Sequence, residues 1–138
     1  MKRISSVTKD LRAAGLRPTE QRVALYEILF GNGHRHVTAE ELHAEALARG
    51  IVLSVATVYN ALNDFTRAGL VRVLSVEGAR TWFDTNTADH QHFYFEGNGD
   101  VRDIDSDGVT ISNIPDAPDG FEIANVDVVV RLRPISRS

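Results

Sequence analysis

At Gly69 the chain changes period. Before it, apolar residues recur at helical spacing in four short segments, each with its own start or stop signal. Val7, Leu11 and Ala14 form the first stripe, and Gly15 stands where a helix would stop. Pro18-Thr19 opens the second, with Thr19 as N-cap, Arg22 as a helix former and Val23, Leu25, Ile28 and Leu29 as its buried face; Gly31-Asn32-Gly33 ends it. Thr38-Ala39-Glu40-Glu41 is a capping-box pattern ahead of Leu42, Ala46 and Leu47, closed by Gly50. Ser54 caps the fourth, expected over about 55–68, with Val58, Leu62 and Phe65 inward.

After Gly69 come two β-type runs, 70–74 and 80–84, split by Glu77-Gly78-Ala79, a hairpin signal. Helices followed by a hairpin outline a winged helix-turn-helix, whose last helix lies in the DNA major groove. Residues 85–89, Thr-Asn-Thr-Ala-Asp, read as a polar hinge. Strands are then expected at 92–95, 101–104 and 123–132, the last with Val126, Val128, Val130 and Leu132 on one face. Pro115 and Pro118 forbid a long helix in the connection, leaving room for one short turn near 108–113. Three strands cannot bury enough apolar surface alone, and a partner chain extending the sheet is the simplest remedy. The expectation is an α+β chain: a winged-helix domain over 1–84, a hinge at 85–89 and a small α/β dimerisation domain over 90–138, its sheet completed by a second copy.

Charge divides along the same line. Residues 1–84 hold 11 Lys and Arg against 9 Asp and Glu, whereas residues 85–138 hold 4 against 10. The basic excess is densest in residues 1–35, with 7 basic and 3 acidic side chains, so a polyanion would meet that end locally. There are no cysteines, which excludes disulfides, thiolate zinc, iron–sulfur clusters and a cysteine nucleophile. Any metal must be held by nitrogen and oxygen. No apolar run approaches the roughly 20 residues a bilayer requires, and the N-terminus lacks a secretion signal, so a cytoplasmic protein without membrane contact is expected.

The fourth helix carries chemistry of its own. Ser54, Ala56, Thr57, Tyr59 and Asn60 crowd its N-terminal half, where small residues admit a phosphate backbone. The Thr57 methyl and the Tyr59 ring can touch thymine methyls, and Asn60 can read adenine bidentately, a set suited to AT-rich DNA. The alternative for Tyr59 is burial in the core. Five histidines are present. His34 and His36 sit in a Gly-rich loop and His43 on a helix. His90 and His92, two apart on a strand, point to one face with Cα atoms roughly 7 Å apart, close enough to share an ion. A lone strand histidine is more often structural. His34 and His43 are given no specific role, and His43 reads as a half-buried helix residue.

Gly15-Leu16-Arg17-Pro18-Thr19-Glu20-Gln21-Arg22, His36-Val37-Thr38-Ala39-Glu40-Glu41-Leu42, Ala56-Thr57-Val58-Tyr59-Asn60-Ala61-Leu62 and His90-Gln91-His92 resemble the Fur family of metal-responsive bacterial repressors over nearly the whole chain. Phe83-Asp84-Thr85-Asn86-Thr87, Phe95-Glu96-Gly97 and Glu122-Ile123-Ala124 with Asp127-Val128-Val129 are most similar to its iron response regulator (Irr) branch. Most members carry two Cys-x-x-Cys pairs for structural zinc. Here Phe95 and Asn98 stand at the first pair and the second is missing, so no cysteine-based structural zinc is expected. The resemblance implies Arg17 as a minor-groove reader and Thr19 and Arg22 as phosphate contacts. It also implies a regulatory site of His36, Asp84, His90, His92 and Asp103, three nitrogen and two oxygen donors suited to Fe2+, Mn2+ or Zn2+. A second family site is not expected, because Gln91 replaces a carboxylate and no histidine follows His92, although Asp89 fits.

The Irr likeness brings in haem, which with no thiolate present would be ligated by His90 or His92. The resulting expectation is a homodimeric, non-enzymatic regulator of iron and haem homeostasis. It would bind AT-rich pseudo-palindromic operators in duplex DNA when iron or haem is low and be released by haem. The alternatives are a repressor of the same family with Fe2+ or Mn2+ as corepressor, and a peroxide or metal sensor of that family. A small metal-dependent enzyme and a peptide-binding winged helix come from other classes; the first lacks a nucleophile elbow or phosphate loop, and Arg17, Tyr59 and Asn60 argue against the second.

Overall fold

The computed structural model describes residues 4–74, 80–87, 91–104, 108–124 and 126–136, with side chains from Ser6 onward. Two compact units divide them, one of residues 4–74 with 80–87 and one beginning at residue 91.

The first unit follows the capping signals closely. Helices α1 (Ile4–Ala13), α2 (Glu20–Phe30), α3 (Ala39–Ala48) and α4 (Val55–Arg67) start and stop near the expected residues. The Thr19 hydroxyl accepts the Arg22 N–H, Thr38 and Glu41 form the reciprocal capping box, and Ser54 accepts the Thr57 N–H. After α4, Gly69 takes φ 78° and the Leu70 N–H returns to the Phe65 carbonyl at 2.9 Å, a left-handed close that a side chain would oppose. Val7 and Leu11 of α1, Leu25, Ile28 and Leu29 of α2, Leu42 and Ala46 of α3, and Val58, Leu62 and Phe65 of α4 make one core. Leu47, expected inside, is 47% exposed. Leu42 and Ala46 stand four apart on the face that packs, and Leu47 is turned about 100° from Ala46.

The wing is shorter than its sequence runs. β2 (Arg72–Val73) pairs antiparallel with β3 (Phe83–Asp84), while the turn at Glu77-Gly78-Ala79 lies outside the described residues. A third strand, β1 (His36–Val37), pairs with the other edge of β3, in the order β1-β3-β2. His36 therefore belongs to a sheet and not to the loop assigned to it. Thr85, polar and placed at the start of the hinge, is buried: its N–H reaches the Arg35 carbonyl at 3.0 Å, and its hydroxyl accepts the Arg35 N–H at 2.9 Å.

The second unit is a sheet in the order β5-β4-β6, with β4 (Gln91–Phe95) central, β5 (Val101–Ile104) antiparallel to it and β6 (Val129–Leu132) parallel. No helix occurs among its described residues, so the expected α/β character and the turn near 108–113 are not found there. The strand expected from residue 123 begins at Val129. Its alternation extends further back, but the register with β4 covers only Val129–Leu132, and the His92 N–H reaches one residue before it, to the Val128 carbonyl, at 3.1 Å. Ile111, Ile114, Phe121 and Ile123 of the connection are exposed, Phe121 at 76%.

Candidate functional site

The capped N-terminus of α4 carries the side chains proposed for DNA. Ser54, Ala56 and Asn60 are exposed and Thr57 is half-buried, its hydroxyl 2.9 Å from that of Ser54. A shallow depression of about 470 Å³ is lined by Arg17, Thr19, Gln21, Arg22, Thr57, Asn60, Ala61 and Asp64. It brings together five of the eight expected DNA-binding residues; Ser54, Ala56 and Tyr59 lie outside its wall. Arg17 and Thr19 are exposed. The Arg22 guanidinium is engaged within the protein, donating to Asp64 Oδ2 at 3.0 Å and to the Arg17 carbonyl at 2.9 Å.

Tyr59 combines both of its sequence readings. Its ring is half-buried against the core, and its hydroxyl donates to Glu40 Oε1 at 3.0 Å. That hydrogen bond, then burial, then the Glu40 charge hold the phenol above its ordinary value of 10.0. A raised phenol stabilises the fold at pH below 10.0, and that contribution is lost as pH rises through the raised value. Glu40→Gln is expected to bring the Tyr59 phenol back toward 10.0, read from phenolate absorbance with Tyr59→Phe identifying the signal; an unmoved titration would contradict the bond. Glu40 and Asp64 were not legible as site residues, because their partners lie 19 and 42 positions away.

The residues expected to bind metal fall on separate strand pairs. In the first unit His36 stands directly opposite Asp84, so both side chains leave the same face of the sheet. Arg72 occupies the same row beyond Asp84. Asp84 is 1% exposed and its Oδ1 accepts the Asn86 N–H at 2.9 Å; the His36 ring meets Trp82 edge-on at 6.4 Å. In the second unit His92 stands opposite Asp103, with Nε2 3.2 Å from Oδ1. His92 is 3% exposed, while Asp103 is exposed. His90 and Asp89 lie outside the described residues. Gln91 is buried and its Oε1 has no hydrogen-bond partner among the described residues. His34 is exposed, and His43, half-buried, places Nε2 2.8 Å from the Leu53 carbonyl, just before the cap of α4.

Imidazole nitrogens and carboxylate oxygens, aligned as one His–Asp couple on each sheet with Asp84 and His92 buried, are donor types that suit Fe2+, Mn2+ or Zn2+. The model of the Ferric uptake regulator family matches residues 13–131. The chain belongs to the Fur family. It is 32% identical over 123 residues, 88% of the chain and 84% of the relative, to the peroxide operon regulator of Bacillus subtilis strain 168. It is 38% identical over 95 residues, 69% of the chain and 63% of the relative, to the peroxide-responsive repressor PerR of Staphylococcus epidermidis. Among solved structures, the ferric uptake regulator of Pseudomonas aeruginosa with manganese aligns with a TM-score of 0.71 at 25% identity, over 94% of the chain and 98% of that structure. The Campylobacter jejuni peroxide stress regulator shares the fold with a TM-score of 0.61 at 20% identity, over the whole of both chains. This Fur-family chain is thus a metal-responsive transcriptional regulator, and none of its described helices is long and apolar enough to cross a membrane.

Proposed function

We propose that this Fur-family chain is a repressor that binds AT-rich, pseudo-palindromic duplex DNA as a homodimer when a divalent ion is bound, and releases it in response to peroxide. The observation that carries this reading is the pair of cross-strand His–Asp couples, His36 with Asp84 and His92 with Asp103, in a chain without cysteine. Residues 1–84 supply the DNA contacts: Ser54, Ala56, Thr57, Tyr59 and Asn60 in the major groove, Arg17 in the adjacent minor groove and Thr19 beside the phosphates, with Arg22 close by but its guanidinium held by Asp64 and the Arg17 carbonyl. Residues 90–138 supply the dimer, with the outer strands β5 and β6 as edges available to a second copy.

His36, Asp84, His90, His92 and Asp103 would hold the ion. When ferrous, that ion supplies one-electron chemistry toward peroxide, which a chain lacking thiols cannot obtain from cysteine oxidation. The protein's own part is to keep the donors aimed. Asp84 is held by the Asn86 N–H, and His92 is held in register against Asp103. Because the donors come from both proposed domains, binding would favour one arrangement of them over others, which is the condition for the ion to change DNA affinity. The relatives named as peroxide regulators support the choice of signal.

The Irr-like reading, with haem as the releasing signal, stands second. The motifs at 83–87, 95–97 and 122–129 and the lack of cysteine favour it. His92 does not fit an axial ligand, since a side chain only 3% exposed offers no face to a porphyrin, so no step is assigned to haem. Fluorescence anisotropy of a labelled operator with Fe2+-loaded and Mn2+-loaded protein separates the readings. Peroxide is expected to release the ferrous complex and spare the manganese one, with haem inert. Release by haem from metal-stripped protein would establish the Irr reading, and equal release of both metal forms by peroxide would exclude a metal-based sensor.

A further inference from the structure

We infer that Arg22 and Asp64 form a latch that aims Arg17, so that Arg22 is a positioning residue and Asp64, an acid on the DNA-facing side, is required for tight binding. This rests on the DNA reading proposed above. Arg22 leaves α2 and Asp64 leaves α4, and their ion pair at 3.0 Å joins the two helices where both side chains are only about a quarter exposed. The other terminal nitrogen of Arg22 donates to the Arg17 carbonyl at 2.9 Å. That carbonyl also accepts the Thr19 N–H at 3.0 Å, and Pro18 between them fixes its own φ. The Arg17 carbonyl is therefore held by two donors while its side chain stays exposed. Asp64 has both oxygens occupied, Oδ2 by Arg22 and Oδ1 by Arg67, so its charge is countered before any phosphate approaches.

The geometry fixes the spacing between two readers that belong to different segments. Arg17 and Asn60 line the same depression, and Arg22 and Asp64 span it. A planar guanidinium can serve a carbonyl and a carboxylate at once, whereas an ammonium is a point donor and would serve them poorly together. A guanidinium spent in this way is a poor phosphate contact.

The decisive variant is Asp64→Asn. If Arg22 were a free phosphate contact, removing a neighbouring negative charge would leave binding unchanged or tighten it. The latch predicts the opposite: Asp64→Asn weakens binding to an AT-rich operator about fivefold, and Arg22→Gln about tenfold, as expected for lost charge-assisted hydrogen bonds. The double variant should be no weaker than Arg22→Gln alone, because both changes break one unit. The loss should be larger on the AT-rich duplex than on one with GC-substituted flanks, since Arg17 is the reader misplaced. Where Arg22→Gln fails to fold by thermal melting, Arg22→Lys replaces it with the same expected direction. Unchanged or tighter binding by Asp64→Asn, additive losses, or equal losses on both duplexes would overturn the latch. Wild-type protein that binds neither duplex would overturn the DNA reading itself.

Discussion

Replacing His92 by alanine is expected to lower Mn2+ affinity by at least about 100-fold, since even outer-shell changes at metal sites cost 10- to 100-fold. The variant removes an imidazole that is almost wholly buried and leaves Asp103 without the partner 3.2 Å from its Oδ1. Asp84→Asn should fall in the same direction, since it keeps the side chain's shape beside the Asn86 N–H but removes the charge opposite His36. Titrating each protein with Mn2+ and reading free ion by electron paramagnetic resonance gives the affinities directly. Wild-type affinity in both variants would remove these strand pairs from the proposed metal site.

Phe65→Ala carries the largest expected loss of stability, about 3–5 kcal/mol. Phe65 is fully buried at the centre of the first unit and meets Tyr26 edge-on at 6.3 Å, while Tyr26 stacks on Phe30 at 4.4 Å. Small domains are stable by about 5–15 kcal/mol, so this single change would leave the DNA-binding unit close to unfolding. Trp82, the one tryptophan, is buried in the same unit and reports its unfolding in urea. Leu47→Ala serves as the contrast, since that side chain is half-exposed and its loss should stay within about 0.5 kcal/mol. A midpoint for Phe65→Ala equal to that of Leu47→Ala would contradict the placement of the core.

Helix ends were legible because capping is local chemistry. Thr19, Thr38 and Ser54 each satisfy an N–H three residues on, and Gly69 supplies a conformation few other residues adopt, so a window of a few positions contains the whole cause. What depends on distant partners was not legible. A two-residue strand at His36 exists only because β3 lies beside it, and no alternation over two residues could have announced it. The run ending at Leu132 alternates for longer than its strand lasts, because β4 sets the length of the pairing. The parallel strand β6 is reached from β5 through a connection without regular structure among its described residues, and no periodic signal marks such a crossover.

The candidate site divides in the same way. Asn60 and Thr57 could be picked from their chemistry and position on a capped helix, and the His-x-His spacing flagged His92. The carboxylates Glu40 and Asp64, which hold Tyr59 and Arg22, belong to other helices, and an acid beside a DNA-binding surface carries no signal in sequence alone. Burial and pairing turn that acid into a structural acceptor.

The most direct test of the account is the affinity of chelator-stripped protein for a labelled AT-rich pseudo-palindromic duplex, measured by fluorescence anisotropy at fixed salt before and after Mn2+ is restored. The account predicts a gain within the range of about 5- to 150-fold typical of coupled sites, abolished by His92→Ala. Equal binding by stripped and manganese-loaded protein would contradict it.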